Sequence, residues 1–212
     1  MAYLAIDGDL IASRAYGADS AARLLANVVR ETNGKFTGAL AVPIRVIQGD
    51  SFQGVLNADS AMKVVFFLQA RLVVGSNGRL LSRFGMGLGA IDQNLEGVSD
   101  PALLTGPAFV AAAAVLEAAR KEKRQLVLES PNKRSAAAAN GAFGLVELVW
   151  DRWSPEVWRR ALRYDELEDI GLLAAELNVS YQAVHKQLHR RGVLAVLEAL
   201  GGLGALLEET KV

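Results

Sequence analysis

An α+β fold, rich in strands at first and all-helical at the end, is predicted by three observations. Up to Glu129, short apolar runs with a period of two alternate with longer runs at helical spacing. Beyond Ser130 the strand period disappears, and all three tryptophans, Trp150, Trp153 and Trp158, fall in helical sequence. The 212 residues, 51% of them hydrophobic, suffice for one full domain and a small second one.

Taken in order, residues 3–9 form a buried-strand candidate that ends in Asp7-Gly8-Asp9. Residues 20–32 follow as a helix with Ala22, Leu24, Leu25, Val28 and Val29 on its apolar side, and Asn33-Gly34-Lys35 supplies turn residues to end it. Two apolar runs then flank Gly49-Asp50 and predict a hairpin over 38–56 with a carboxylate at its tip. Residues 58–74 make a second helix, with Asp59 or Ser60 as cap. Residues 83–91 return to strand period, with Phe84, Met86 and Leu88 on one face and glycines mostly on the other. A face of glycines admits another backbone or a ligand at close range. Residues 92–104 are turn-rich, residues 106–123 form an Ala-rich helix with Pro107 in its first turn, and residues 125–129 are a short strand. The order β-α-β-β-α-β-α-β is a ferredoxin-like arrangement with one strand added.

The last third is helical. Residues 136–152 predict a connecting helix, weakened by Gly141 and Gly144. Ser154-Pro155-Glu156 starts the next helix with a serine cap, proline at the first position and an acid in the first turn. Residues 167–177, a turn at Asn178-Val179, and a helix capped by Ser180 and running through Arg190 give a helix-turn-helix. Ala174 holds the small position, Asn178 the turn position, and Leu173, Leu177, Val179 and Val184 lock the helices. The final helix, 194–208, is interrupted at Gly201-Gly202 and Gly204. It either supplies a dimer contact or packs back on its own domain.

Composition excludes some chemistry. Without cysteine there is no disulfide, thiolate metal site or cysteine nucleophile. The formal charge is +0, so nucleic-acid contact has to be local. A start that goes straight into a strand, and apolar runs all too short for a bilayer, point to a cytoplasmic protein without a membrane partner.

Two constellations carry candidate chemistry. Asp9 and Asp50 each end a strand element, and two such carboxylates can converge on one hard cation. Against this, Asp50 fits equally a turn acceptor, and Asp9 with Asp7 a loop cap. Ser13 and Arg14 suit an anion, although Arg14 also suits pairing with Asp7 or Asp9; Arg83 suits a ligand or a solvated strand start. The second constellation is the helix that follows Ser180. It displays Tyr181, Gln182, His185, Lys186, His189 and Arg190, which can bond base edges and phosphates in a major groove. Its two histidines are at zinc spacing but no acidic third ligand lies close by in sequence, which favours base or phosphate contact.

The whole chain resembles the SatD family on four motifs: Ala5-Ile6-Asp7-Gly8-Asp9-Leu10-Ile11-Ala12-Ser13-Arg14, Gln48-Gly49-Asp50-Ser51-Phe52-Gln53-Gly54, Arg83-Phe84-Gly85-Met86-Gly87-Leu88-Gly89 and the helix-turn-helix. The first part is also distantly similar to the catalytic core of class III nucleotidyl cyclases, and residues 154–191 resemble the DNA-binding region of sigma factors and response regulators. The cyclase resemblance implies a nucleotide with Mg or Mn held by Asp9, Asp50 and the Leu10 carbonyl, with Ile11, Ala12, Ser13, Arg14 and Arg83 toward the phosphates. The Asn and Arg that stabilise the cyclase transition state fall at Ala111 and Val115, and the base-reading lysine at Val46. Loss of those groups speaks against cyclase turnover.

The expectation is therefore a ferredoxin-like, cyclase-resembling domain at 1–131, a connecting helix at 132–153 and a helix-turn-helix domain at 154–212. Its function is DNA-binding regulation by a homodimer, with a degenerate nucleotide and metal site as sensor. The alternatives are a metal-dependent nucleotidyl or phosphoryl transferase using Asp9 and Asp50, and a protein-interaction module.

Overall fold

The computed structural model describes residues 3–210. Their order is β1 (Tyr3–Ile11), α1 (Ser13–Tyr16), α2 (Ala18–Lys35), β2 (Leu40–Gln48), β3 (Ser51–Asn57), α3 (Ala61–Gly75), β4 (Leu81–Leu88), a 3-10 turn (Pro101–Leu103), α4 (Pro107–Glu122) and β5 (Leu126–Glu129). The helices α5 (Lys133–Trp150), α6 (Pro155–Leu167), α7 (Ile170–Leu177), α8 (Tyr181–Arg190) and α9 (Val193–Glu209) complete it. The fold is a mixed α+β one, built on a five-stranded sheet in the order β2-β3-β1-β4-β5. Central β1 runs antiparallel to both β3 and β4, and β5 joins β4 in parallel. No helix of the described residues is long and apolar enough to cross a membrane.

Strand alternation divides the sheet into two faces. Leu4, Ile6, Leu10, Phe52, Leu56, Phe84, Met86 and Leu88 are buried in one core with Leu25, Val28 and Val29 of α2 and the apolar residues of α3. Ala5, Val42 and Val55 point the other way and are covered by Ala108, Phe109 and Ala112 of α4. The glycine face of β4 does what its composition predicts. A Cβ at Gly85 would stand 2.3 Å from the Ala112 carbonyl oxygen, and one at Gly87 1.9 Å from that of Ala108, so α4 crosses directly on these strand positions.

The helical part continues the first core. Phe66 of α3 stacks on Trp158 at 6.0 Å, and Trp158 in turn meets Trp150 at 5.1 Å and Trp153 at 4.8 Å. Burying each large ring contributes on the order of 2–3 kcal/mol. Helix α5 also closes the free edge of β5: Asn140 bonds both the amide and the carbonyl of Leu128 at 2.8 Å, and Glu147 accepts from the Leu126 amide at 2.9 Å. An edge satisfied by side chains cannot template a further strand.

Three local expectations are corrected. Asn33 and Gly34 do not end α2, because the Asn33 side chain bonds the Ile44 amide and carbonyl and so ties the helix end to β2. The glycines do not interrupt α9 either: Gly204 lets it approach the Asp59 carbonyl, where a Cβ would lie 2.4 Å away. Val179 is 48% exposed, leaving Leu173, Ala174, Val184 and Leu188 as the buried lock between α7 and α8. Helix α9 packs on its own chain through Val196, Leu200, Leu203 and Leu207, against α3 and α5 as well as α8.

Candidate functional site

The β1 end, the hairpin tip and the last turn of α4 meet at one end of the sheet. Asp9 pairs across β1 with Ser51 on one side and Arg83 on the other, so its carboxylate rises on the α4 face between them. It is 6% exposed and held at both oxygens: Arg83 Nη1 donates to Oδ1 at 3.0 Å, and Arg120 Nε to Oδ2 at 2.5 Å. Arg83 is itself fixed by donating from Nε to the Arg124 carbonyl at 3.2 Å, and Arg120 pairs with Glu117 as well. Two guanidiniums on one buried carboxylate make a charge-assisted cluster.

Asp50 lies one residue beyond the Ser51 that faces Asp9, and its carboxylate accepts from the Ser13 hydroxyl. Its backbone carbonyl takes the Leu10 amide at 3.1 Å, which ties the tip to the end of β1. Gly49 has a φ of 59°, the left-handed conformation that the tight turn needs. After Ile11, Ala12 is left-handed too, with a φ of 67°, and turns the chain into α1; Arg14 is exposed. Neither Asp7 nor Asp9 is Arg14's partner: Asp7 accepts from Gln53 Nε2 at 2.7 Å.

The structure thus brings Asp9, Asp50, Leu10, Ser13 and Arg83 to one end of the sheet, but gives the two carboxylates separate partners. At Asp9 each oxygen already accepts from an arginine, so positive charge occupies the place where a divalent cation would have to sit. Among the described residues, no group of three or more His, Asp or Glu side chains stands together at metal-binding distance. As placed, these residues do not fit a metal ion. Arg120 escaped sequence reasoning because it is 111 residues from Asp9; the glycine stripe of β4, which fixes where α4 crosses, was the one available signal.

Burial raises the Asp7 carboxyl above the ordinary range; the bond from Gln53 and the charge of Arg120 oppose that rise without cancelling it. The folded protein therefore holds a proton here at pH values where the unfolded chain has released it, and stability from this group declines as pH rises through that window. Asp7→Asn keeps an acceptor for Gln53 and removes the charge. It is expected to raise the melting temperature at pH 7 and to flatten the pH dependence just above the ordinary carboxylate range, read by thermal denaturation across pH. A lower melting temperature at pH 7 would show that the charge is favourable where it lies.

The α8 surface is the second candidate. Asn178 is left-handed at the end of α7, with a φ of 53°, and the Ser180 hydroxyl accepts from the Ala183 amide at 3.2 Å to cap α8. Val184 and Leu188 anchor the helix, leaving Tyr181, Gln182, His185, Lys186, His189 and Arg190 exposed together. Tyr181 stacks on His185 at 6.0 Å and His185 on His189 at 6.1 Å. No acidic residue occurs between Glu176 and Glu198, whereas Lys186, Arg190 and Arg191 all do. The arginines of α6 differ in this respect, since Arg159, Arg160 and Arg163 pair with Glu156, Glu166 and Glu176.

No protein-family model matches the chain, and no curated protein matches it. Among solved structures the chain is similar to Csm1 in T.onnurineus, at 13% identity over 99% of this chain and 38% of that one, with a TM-score of 0.43. It is also similar to the Csm1-Csm4 cassette in complex with cA4, at 12% identity over 98% of this chain and 37% of that chain, with a TM-score of 0.42. The chain spans little more than a third of the length of these structures.

Proposed function

We propose that the chain is a DNA-binding regulatory protein that contacts the major groove through α8. The observation that carries this reading is the exposed row of Gln182, His185, Lys186, His189 and Arg190 on a capped helix, in a stretch free of acidic residues. Among the described residues its cations are not paired with neighbouring carboxylates, as those of α6 are, and so remain available to phosphates. In this reading residues 1–131 form a ferredoxin-like scaffold, supported by the strand order, residues 132–153 connect, and residues 154–212 bind DNA. The SatD resemblance rests on the quoted motifs and adds no chemistry. The arginine-held Asp9 gives no support to a sensor that works through a metal-bridged nucleotide, nor to the transferase alternative.

The test is fluorescence anisotropy of labelled duplex DNA over a range of salt, first on mixed-sequence fragments and then on sequences selected from a random pool. Affinity is expected to fall steeply with salt. Lys186→Ala/Arg190→Ala is expected to weaken binding at least tenfold and to reduce the log-log salt slope by about 2, close to one unit per lost phosphate contact. An unchanged slope in the double variant, or affinity for a protein partner that ignores salt and is not matched by DNA, would overturn the assignment.

A further inference from the structure

Helix α5 packs one side on β5 and α9 and leaves the other uncovered. On the uncovered side Arg134, Ala138, Gly141, Leu145 and Leu148 are exposed at spacings of four, three, four and three, and exposed Arg152, just past the helix end, adds a further four. That alternation is the heptad seam along which one helix packs on another. Leu145 and Leu148 are 68% and 59% exposed, so nothing in the fold covers them. A Cβ added at Gly141 would have nothing within 4 Å, and the missing side chain leaves a notch in the seam. The face is also uncharged. Between Arg134 and Asp151 the one charged residue is Glu147, which turns inward to Arg124 and the Leu126 amide.

Reversed end for end, the seam is complementary to itself. When Leu145 of one helix is set against Gly141 of an antiparallel second copy, the same register sets Leu148 against Ala138 and Arg134 against Arg152, and the two-fold axis repeats each pairing. Each leucine is then received by a small residue, and no layer holds two gaps. At the ends, Arg134 of one copy comes to the Asp151-Arg152 corner of the other. Asp151 has no ion pair among the described residues, accepting only from Gln125 Nε2 at 3.2 Å, and the last carbonyls of the facing α5 bring partial negative charge to the same corner. The Arg134 guanidinium, which opposes the dipole of its own helix, is thereby matched across the contact. A parallel pair would instead set Arg134 on Arg134 and leave a void between two Gly141 residues.

We infer that this face of α5 is the contact between two copies of the chain, packed antiparallel as a two-fold dimer. The partner is a second copy because the seam supplies both halves of the fit: two leucines, the small residues that receive them, and an arginine with its carboxylate. One helix of 18 residues, about 27 Å long, buries less than a standard interface, so a dissociation constant in the micromolar range is expected. The face shares no residue with Asp9, Asp50 or the α8 surface, so it stands or falls independently of the DNA-binding assignment.

Sedimentation velocity of the full chain over a range from about 1 μM to about 1 mM tests the inference, and a monomer–dimer equilibrium is expected. Leu148→Glu changes an exposed position; it is expected to weaken the dimer at least tenfold while leaving thermal denaturation at the lowest concentration unchanged, which separates loss of the contact from loss of the fold. Cross-linking reads the direction of the helices. The chain has no cysteine, so Gly141→Cys and Leu145→Cys variants carrying tags of different size are mixed and oxidised in air. A disulfide is expected between the two variants, and to form faster than within either alone. A chain that stays monomeric up to about 1 mM, a dimer that Leu148→Glu leaves equally tight, or Gly141→Cys linking to itself as fast as to Leu145→Cys would overturn the inference.

Discussion

Gly87→Ala is expected to lower stability by about 3 kcal/mol or more, the largest effect of any single methyl group added to this fold. The added carbon would stand 1.9 Å from the Ala108 carbonyl oxygen and 2.7 Å from the Ala112 amide nitrogen, so it meets backbone that cannot turn aside as a side chain can. Helix α4 would have to lift from the sheet, and with it Phe109 from the core it shares with Val42 and Val55. Gly201→Ala is the matched control. That glycine is helical with nothing within 4 Å of an added Cβ, and alanine there is expected to stabilise by up to about 1 kcal/mol. Urea denaturation of both variants reads the difference. Should Gly87→Ala unfold at the same urea concentration as the parent, α4 does not cross at Gly85 and Gly87, and the placement of Arg120 on Asp9 loses its basis as well.

That placement divides what the sequence makes legible from what it hides. The β4 stripe, the Gly49-Asp50 turn, the Ser154-Pro155 helix start and the Asn178 turn are local: period, cap and left-handed preference are written within a few residues of where they act. The strands and most helices were recoverable for that reason. Asn33 was misread because its turn preference is overridden by two bonds to Ile44, and Gly204 because its use is a close approach to Asp59. Asn140 and Glu147 close the edge of β5 through side-chain bonds that leave no periodic trace. The candidate site follows the same division. Asp9 and Asp50 could be picked out as strand-end carboxylates, but the identity of the cation beside Asp9 depends on where α4 ends after crossing the sheet. Only the three-dimensional structure shows that this cation is a pair of arginines.

Asp9→Ala accordingly separates a carboxylate held by arginines from one waiting for a metal. Removing the anion leaves Arg83 and Arg120 facing each other across a site where Asp9 was 6% exposed, and the loss of an uncompensated partner typically costs about 3–5 kcal/mol. Arg120 is 40% exposed and screened by water, so the lower end, about 3 kcal/mol, is expected. Asp9→Ala/Arg120→Met should recover part of that loss, since it removes one of the two guanidinium charges left facing each other; the coupling is read from a double-mutant cycle in urea. A metal centre makes the opposite forecast. Closely placed carboxylates without their cation repel, so Asp9→Ala would be neutral or stabilising in metal-free buffer, and Mg or Mn would raise the melting temperature of the parent. With both Asp9 oxygens bonded to guanidinium, neither cation is expected to shift it, and chelation is expected to change nothing. A Mg-dependent rise that vanishes in Asp50→Ala would mean that the arginines give way to the ion, and the strand-end carboxylates would then have to be read as a binding site after all.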